Sequence, residues 1–199
     1  MIDILLEWLS ANMIELLGAI LGLIYIFLSI RQSILTWPTG LLTSVFYIII
    51  FYQSGFYADM GLQVYYVIIS IYGWYYWIKG EKPSSRLKIP VRSANIRLWI
   101  KILIITVILF FIILFILLNF TNSTVPYMDS MTTALSITAT WMLARKYIEH
   151  WLIWIFVDLF SSGLYIYKNL WPTVILFLVY SVMAWLGYRE WQKDLKTQH

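Results

Sequence analysis

Cysteine is missing from the chain altogether, which excludes disulfides, iron–sulfur clusters and thiol chemistry. Histidine is nearly missing. There are two, His150 and the terminal His199, and no His-Glu-x-x-His or other metal-ligand spacing accompanies them. No metal and no cofactor is therefore expected. A Walker A loop is also absent, so transport driven by ATP hydrolysis within this chain is excluded. Charge is scarce: 12% of the 199 residues are charged and 61% are hydrophobic, against about 25% and 45–50% in soluble domains. With a mean hydropathy of +0.77, so much apolar surface cannot be hidden in one core, and lipid must be the solvent for most of it. Residues 1–10 contain Asp3 and Glu7 and no basic stretch, so a cleavable leader is not expected.

What is present is a series of long apolar runs. A spanning helix needs about 20 mostly apolar residues. Seven candidates are read, at 13–30, 37–52, 59–78, 98–120, 127–143, 148–167 and 170–188, of which the second and fifth are the weakest. The fifth carries Thr132, Thr133, Ser136, Thr138 and Thr140 and is expected to face protein or water rather than lipid. Residues 1–12 read as a short interfacial helix, 79–97 as a basic linker around Lys-Pro-Ser-Ser-Arg-Leu-Lys-Ile-Pro, and 192–199 as a tail. With this count, 13 of the 14 basic residues fall on one side and Lys168 alone on the other. Basic residues stay inside, so the fold class is an all-α integral membrane bundle of seven transmembrane helices, N-terminus out and C-terminus in. The net charge of +4 then reflects membrane orientation, and no nucleic-acid partner is expected.

The chain also resembles itself. Shifted by 114 residues, Arg31-x-x-Ile34-x-x-Trp37 falls on Arg145-x-x-Ile148-x-x-Trp151 without a gap. Phe46 then meets Phe160, Leu62 meets Leu176, Tyr66 meets Tyr180, Gly73 meets Gly187 and Trp77 meets Trp191. The shift places a first unit (13–78) on a second (127–191) and leaves the helix at 98–120 as a spare. Direct fusion of two three-helix units would invert the second copy, and one inserted helix restores its orientation. The expected architecture is 3+1+3 with parallel repeats, as in SWEET proteins, with a substrate site near the midplane between them.

Several helices carry one polar face at helical spacing. The first has Glu15, Gly18, Gly22, Tyr25 and Ser29; the second Trp37, Gly40, Ser44 and Tyr47; the third Asp59, Gln63, Tyr66, Ser70, Gly73 and Trp77; the sixth Trp151, Trp154, Asp158, Ser161 and Tyr165. Small residues there suit close helix packing. Asp158 does not fit that explanation. A carboxylate near the centre of a spanning helix costs a few kcal/mol and usually lines a pathway or meets a partner. No Lys or Arg lies at comparable depth. The partner is then a cationic substrate, a proton, or hydroxyl donors such as Thr138 and Ser44. Trp154 and Trp151, one and two turns earlier, attract cations and stack on flat rings. A retinal protein is excluded because the last helix lacks a lysine. A seven-helix sensor or receptor is the competing class.

The segments Trp37-Pro-Thr-Gly40, Tyr57-Ala-Asp-Met-Gly-Leu-Gln63, Ser70-Ile-Tyr-Gly-Trp-Tyr-Tyr-Trp77 and Trp151-Leu-Ile-Trp154-Ile-Phe-Val-Asp158, followed by Gly163-Leu-Tyr165, resemble the PnuC-type nicotinamide riboside transporter family. The likeness runs from about Met13 to Gln192. It implies a SWEET-like homotrimer in the inner (plasma) membrane, facilitated diffusion of a vitamin precursor feeding NAD biosynthesis, and trapping by a separate cytoplasmic kinase. The helix-six Trp-x-x-Trp matches the family's substrate region. Nicotinamide riboside transporters often have asparagine where this chain has Asp158, so the substrate reads as a cationic heteroaromatic vitamin or nucleoside: nicotinamide riboside first, thiamine second, neutral riboflavin least. In this reading Trp151 and Trp154 stack on the ring and Asp158 balances its charge. Gln63, Ser44, Tyr66 and Tyr180 bond hydroxyls, and Pro38, Gly40, Gly73 and Gly187 serve as hinges.

Overall fold

The computed structural model describes residues 13–54, 57–80, 89–167 and 169–197. The expected interfacial helix (1–12), Lys168, most of the basic linker, and the side chains of Glu15 and Asp59 lie outside the described residues. Seven helices are found among the described residues: α1 Met13–Ile30, α2 Thr36–Ser54, α3 Tyr57–Gly80, α4 Ile96–Phe120, α5 Pro126–Ala144, α6 His150–Tyr167 and α7 Trp171–Thr197. No strand occurs among them beyond one isolated bridge between Arg92 and Tyr147. By length and composition α4, α6 and α7 can each cross a membrane, and α1 and α2 contain shorter apolar stretches. Large apolar side chains cover the outside, with Leu103, Phe111 and Ile175 all more than 60% exposed. The molecule is a multi-pass membrane protein that presents its greasy surface to lipid.

Local chemistry sets the helix ends. Asn95 caps α4, its side-chain oxygen accepting the Leu98 N–H at 2.9 Å. Pro126 opens α5, where its missing N–H is harmless. Helix α5 is the most deeply buried of the seven, as its run of hydroxyls suggested. Those hydroxyls are satisfied within the helix: Ser136 donates to Thr132 O at 2.8 Å and Thr140 to Ser136 O at 2.7 Å. Helix α7 runs nine residues past the sequence-based end at Tyr188. Trp191 is fully buried and Asp194 accepts a hydrogen bond from Gln32 Nε2, so tertiary contacts extend a helix through what composition alone reads as a polar tail.

The two helical turns 30–36 and 144–150 have the same backbone wiring at an offset of 114. Gln32 and Lys146 both adopt positive φ, at 51° and 56°. Ser33 N–H donates to Leu28 O as Tyr147 N–H does to Met142 O, and Trp37 N–H to Ile34 O as Trp151 N–H to Ile148 O. Each following tryptophan is then wedged in the same way. Trp37 meets Trp77 edge-on with ring centroids 5.3 Å apart, and Trp151 meets Trp191 at 5.8 Å. A Cβ on Gly73 would lie 2.5 Å from the Trp37 ring, and one on Gly187 2.6 Å from that of Trp151. Only glycine leaves room for these indoles.

The two halves are laced together. Trp77 Nε1–H donates to Ala144 O at 3.0 Å, and Trp191 Nε1–H to Ser29 O and Ile30 O, both at 3.2 Å. Helix α1 packs on α7 and α5 on α3, so the first helix of each half rests on the third helix of the other. Lys146 Nζ donates to Gln32 Oε1 at 3.0 Å, joining the two positive-φ residues directly.

Candidate functional site

A cavity of about 190 Å³ opens between α1, α6 and α7, thus between the halves. Helix α1 contributes Gly22, Tyr25 and Ser29, the end of α5 contributes Leu143, α7 contributes Tyr180 and Ala184, and α6 contributes His150, Trp151, Trp154 and Asp158. Small-molecule clefts run from about 300 Å³ upward, so this one is small in the present conformation. Its shape depends on small residues. The hydroxyl of Tyr180 packs directly over Gly22, where a Cβ would collide with it.

Four residues singled out by sequence meet here: Trp151, Trp154, Asp158 and Tyr180. Asp158 is 5% exposed. Its backbone carbonyl accepts from Ser162 at 2.9 Å, but its carboxylate has no hydrogen bond or ion pair among the described residues. The hydroxyl partners considered for it are otherwise engaged or elsewhere. Thr138 donates within its own helix, to Leu135 O at 3.0 Å, and Ser44 is buried on α2 away from the cavity lining. A buried carboxyl without a partner costs free energy, and either a cation or a proton relieves that cost.

Trp154 is half-buried and presents ring surface to the cavity, whereas Trp151 is only 3% exposed and gripped between Gly187, Trp191 and His150. Trp151 thus offers an edge more than a stacking face. Gln63, Ser44 and Tyr66 do not line the cavity. Tyr66 is hydrogen-bonded with Ser136; a shift of 114 carries Tyr66 to Tyr180 and Gly22 to Ser136, so this contact is the counterpart of the one between Tyr180 and Gly22. Of the residues read as hinges, Pro38 sits in the first turn of α2, where proline continues a helix without strain, and Gly40 gives way to the Tyr25 ring.

His150 is a lining residue that sequence reasoning passed over. It is completely buried, with Nδ1 2.7 Å from Tyr147 O. A carbonyl only accepts, so Nδ1 carries the proton, and in the neutral ring Nε2 is then an acceptor. Neither His150 Nε2 nor Trp151 Nε1–H has a hydrogen-bond partner among the described residues. The ring centroids of these adjacent residues lie 4.4 Å apart. Buried polar atoms are rarely left unpaired, and these two belong to residues that wall a cavity. The signal in the sequence was a histidine directly before the first tryptophan of Trp-x-x-Trp.

Comparison with known proteins places this architecture. A family model described as nicotinamide mononucleotide transporter matches residues 12–193. The nicotinamide riboside transporter PnuC of Escherichia coli is 26% identical over 203 aligned positions, covering 89% of this chain and 84% of that one. The riboflavin/roseoflavin transporter RibM of Streptomyces davaonensis is 27% identical, covering 89% and 83%. A crystal structure of the vitamin B3 transporter PnuC superposes with a TM-score of 0.77 at 19% identity, covering 99% of this chain and 88% of that one.

Proposed function

Because the chain belongs to the nicotinamide mononucleotide transporter family, whose members are transporters and not enzymes, we propose that it is a facilitator for a cationic heteroaromatic vitamin or nucleoside. The observation that carries this reading is the unpaired carboxylate of Asp158 beside the Trp154 ring in a cavity between the halves. The ring nitrogen of nicotinamide riboside carries a fixed positive charge, which suits that carboxylate, and its flat ring suits the indole face. Its carboxamide offers N–H donors and a carbonyl acceptor, which complement His150 Nε2 and Trp151 Nε1–H. Tyr180 bonds a ribose hydroxyl. Thiamine, also cationic, is the second reading. Riboflavin, carried by the Streptomyces relative, is neutral and leaves Asp158 uncompensated.

The finer architecture belongs to the same proposal. The matched turns, the paired Trp–Gly wedges and the cross-half tryptophan bonds support parallel repeats in a 3+1+3 arrangement, with α4 as the insert and all seven helices spanning. In this reading Gln63, Ser44 and Tyr66 form the corresponding face of the first repeat, engaged at another stage of the cycle. Gly73 and Gly187 let each third helix slide on its tryptophan. The protein works as a homotrimer in the plasma membrane, and a separate kinase traps the substrate inside. The basic-residue asymmetry sets the C-terminus in the cytoplasm. Reporters fused after Gln198 are expected to read as cytoplasmic, and reporters within 121–126 or after Asn169 as external; the opposite pattern would reject the seven-span count.

Uptake into liposomes holding only the purified protein tests the function. Nicotinamide riboside is expected to equilibrate without ATP or an ion gradient. Its carboxylate analogue, nicotinic acid riboside, is expected to enter poorly, because it lacks the amide N–H and brings a negative charge towards Asp158. Accumulation above the external concentration under an imposed proton gradient would refute uniport. Equal uptake of the amide and the acid would remove the roles given to His150 and Asp158.

A further inference from the structure

A second cavity, about 520 Å³ in volume, lies at the other end of the linker's described part, beside the start of α4. Its walls include Arg92, Ser93, Asn95, Arg97, Lys101 and Tyr147. Arg92, Arg97 and Lys101 are exposed, and none of their charged heads has a hydrogen bond or ion pair among the described residues. Three cations around one concavity repel each other, and an anion is the species that relieves them.

The surroundings identify the kind of anion. Arg97 and Lys101 stand one turn apart on α4, the helix with the least buried surface of the membrane-spanning set. Ile96, Ile100 and Leu103 on the same stretch are 72%, 52% and 63% exposed. Phosphate chemistry is thus offered at one level and hydrocarbon contact directly beneath it. That pairing matches a lipid whose head is anionic and whose tails run down the helix. Basic pockets of this kind on the cytoplasmic side of transmembrane helices take phosphate head groups. The wall is also built rather than loose. Arg92 N–H donates to Lys146 O at 2.8 Å and Ile148 N–H to Arg92 O at 2.9 Å. Glu149 Oε1 accepts from Ser93 Oγ–H at 2.6 Å and from Ala94 N–H at 2.8 Å, which holds the segment in place, and Glu149 is not among the residues that line the cavity.

We propose that the cavity formed by Arg92, Arg97 and Lys101 is a binding site for the phosphate head group of an anionic phospholipid. Because its wall is bonded to the turn that starts α6, the bound lipid steadies the helix that carries Trp154 and Asp158. Arg97→Gln with Lys101→Gln removes two of the three charges without touching the transport cavity. Native mass spectrometry of the full chain, released from detergent with phosphatidylglycerol or phosphatidylcholine, reads the binding. The wild type is expected to retain phosphatidylglycerol. The double variant should bind it about thirtyfold more weakly, at about a factor of five for each cation near the surface, with phosphatidylcholine unchanged in both. The charge-keeping pair Arg97→Lys with Lys101→Arg controls for folding and should retain the lipid. Equal retention by wild type and the glutamine pair would overturn the proposal, as would loss of the lipid in the charge-keeping pair. Displacement of phosphatidylglycerol by millimolar inorganic phosphate would also overturn it, by assigning the cavity to a soluble anion.

Discussion

Asp158→Asn is expected to weaken binding of a cationic ring by about 1–3 kcal/mol, the scale of a charge-assisted contact, while a reduced, uncharged analogue of the same ligand loses much less. The asymmetry follows from the geometry. The carboxylate is buried and has no hydrogen bond or ion pair among the described residues, and in the proposed reading its charge is balanced by the cation that occupies the cavity. Asparagine keeps the shape and the hydrogen-bonding capacity but removes that term. Trp154→Ala acts differently: stacking does not depend on ring charge alone, so both ligands should suffer. Isothermal titration of the detergent-solubilised protein with both ligands gives the comparison. If charged and neutral ligands respond alike to Asp158→Asn, then Asp158 ties helices together rather than reading charge. If thiamine binds far more tightly than nicotinamide riboside to the wild type, the charge mechanism stands and the proposed substrate changes.

Trp191→Ala is expected to lower stability by about 3–5 kcal/mol, the range for deleting a fully enclosed large aromatic. Trp191 is 0% exposed, fills the space beside Trp151 and His150, and donates to two carbonyls at the end of α1. Those carbonyls lie at a helix terminus and have few other donors. Trp191→Phe keeps most of the packing and loses the N–H, a change of about 1 kcal/mol. The exposed Trp185, on the same helix and 51% exposed, serves as the comparison. Unfolding midpoints of purified protein in a denaturing detergent series should rank Trp191→Ala well below Trp191→Phe, and both below Trp185→Ala. If Trp191→Ala and Trp185→Ala unfolded together, the lacing between the halves would contribute nothing.

Much of the fold was legible because lipid imposes a coarse code. Length and apolarity located all seven helices, and the threonine-rich fifth segment announced its burial, since hydroxyls avoid lipid unless satisfied at home. The end of α7 was not legible. Arg189 and Glu190 lie past the expected helix end and Lys193 and Asp194 in the expected tail, yet the burial of Trp191 and the bond from Gln32 to Asp194 accompany a helix that runs on to Thr197. For the site, helical spacing told which face of each helix is polar but not which helix stands opposite. That is why Trp154, Asp158 and Tyr180 converge while Gln63, Ser44 and Tyr66 lie apart from them. Trp151 shows the same limit. A tryptophan before a carboxylate suggests a stacking platform, yet its coupling to Gly187, mirrored by Trp37 and Gly73, was the mark of a packed wedge.

The direct bond from Lys146 to Gln32, flanked by the indole bonds of Trp77 and Trp191, has a kinetic meaning. These contacts clasp the two halves at the end where both turns sit, and in the cycle proposed above they are the bonds that must break before a substrate leaves by that end.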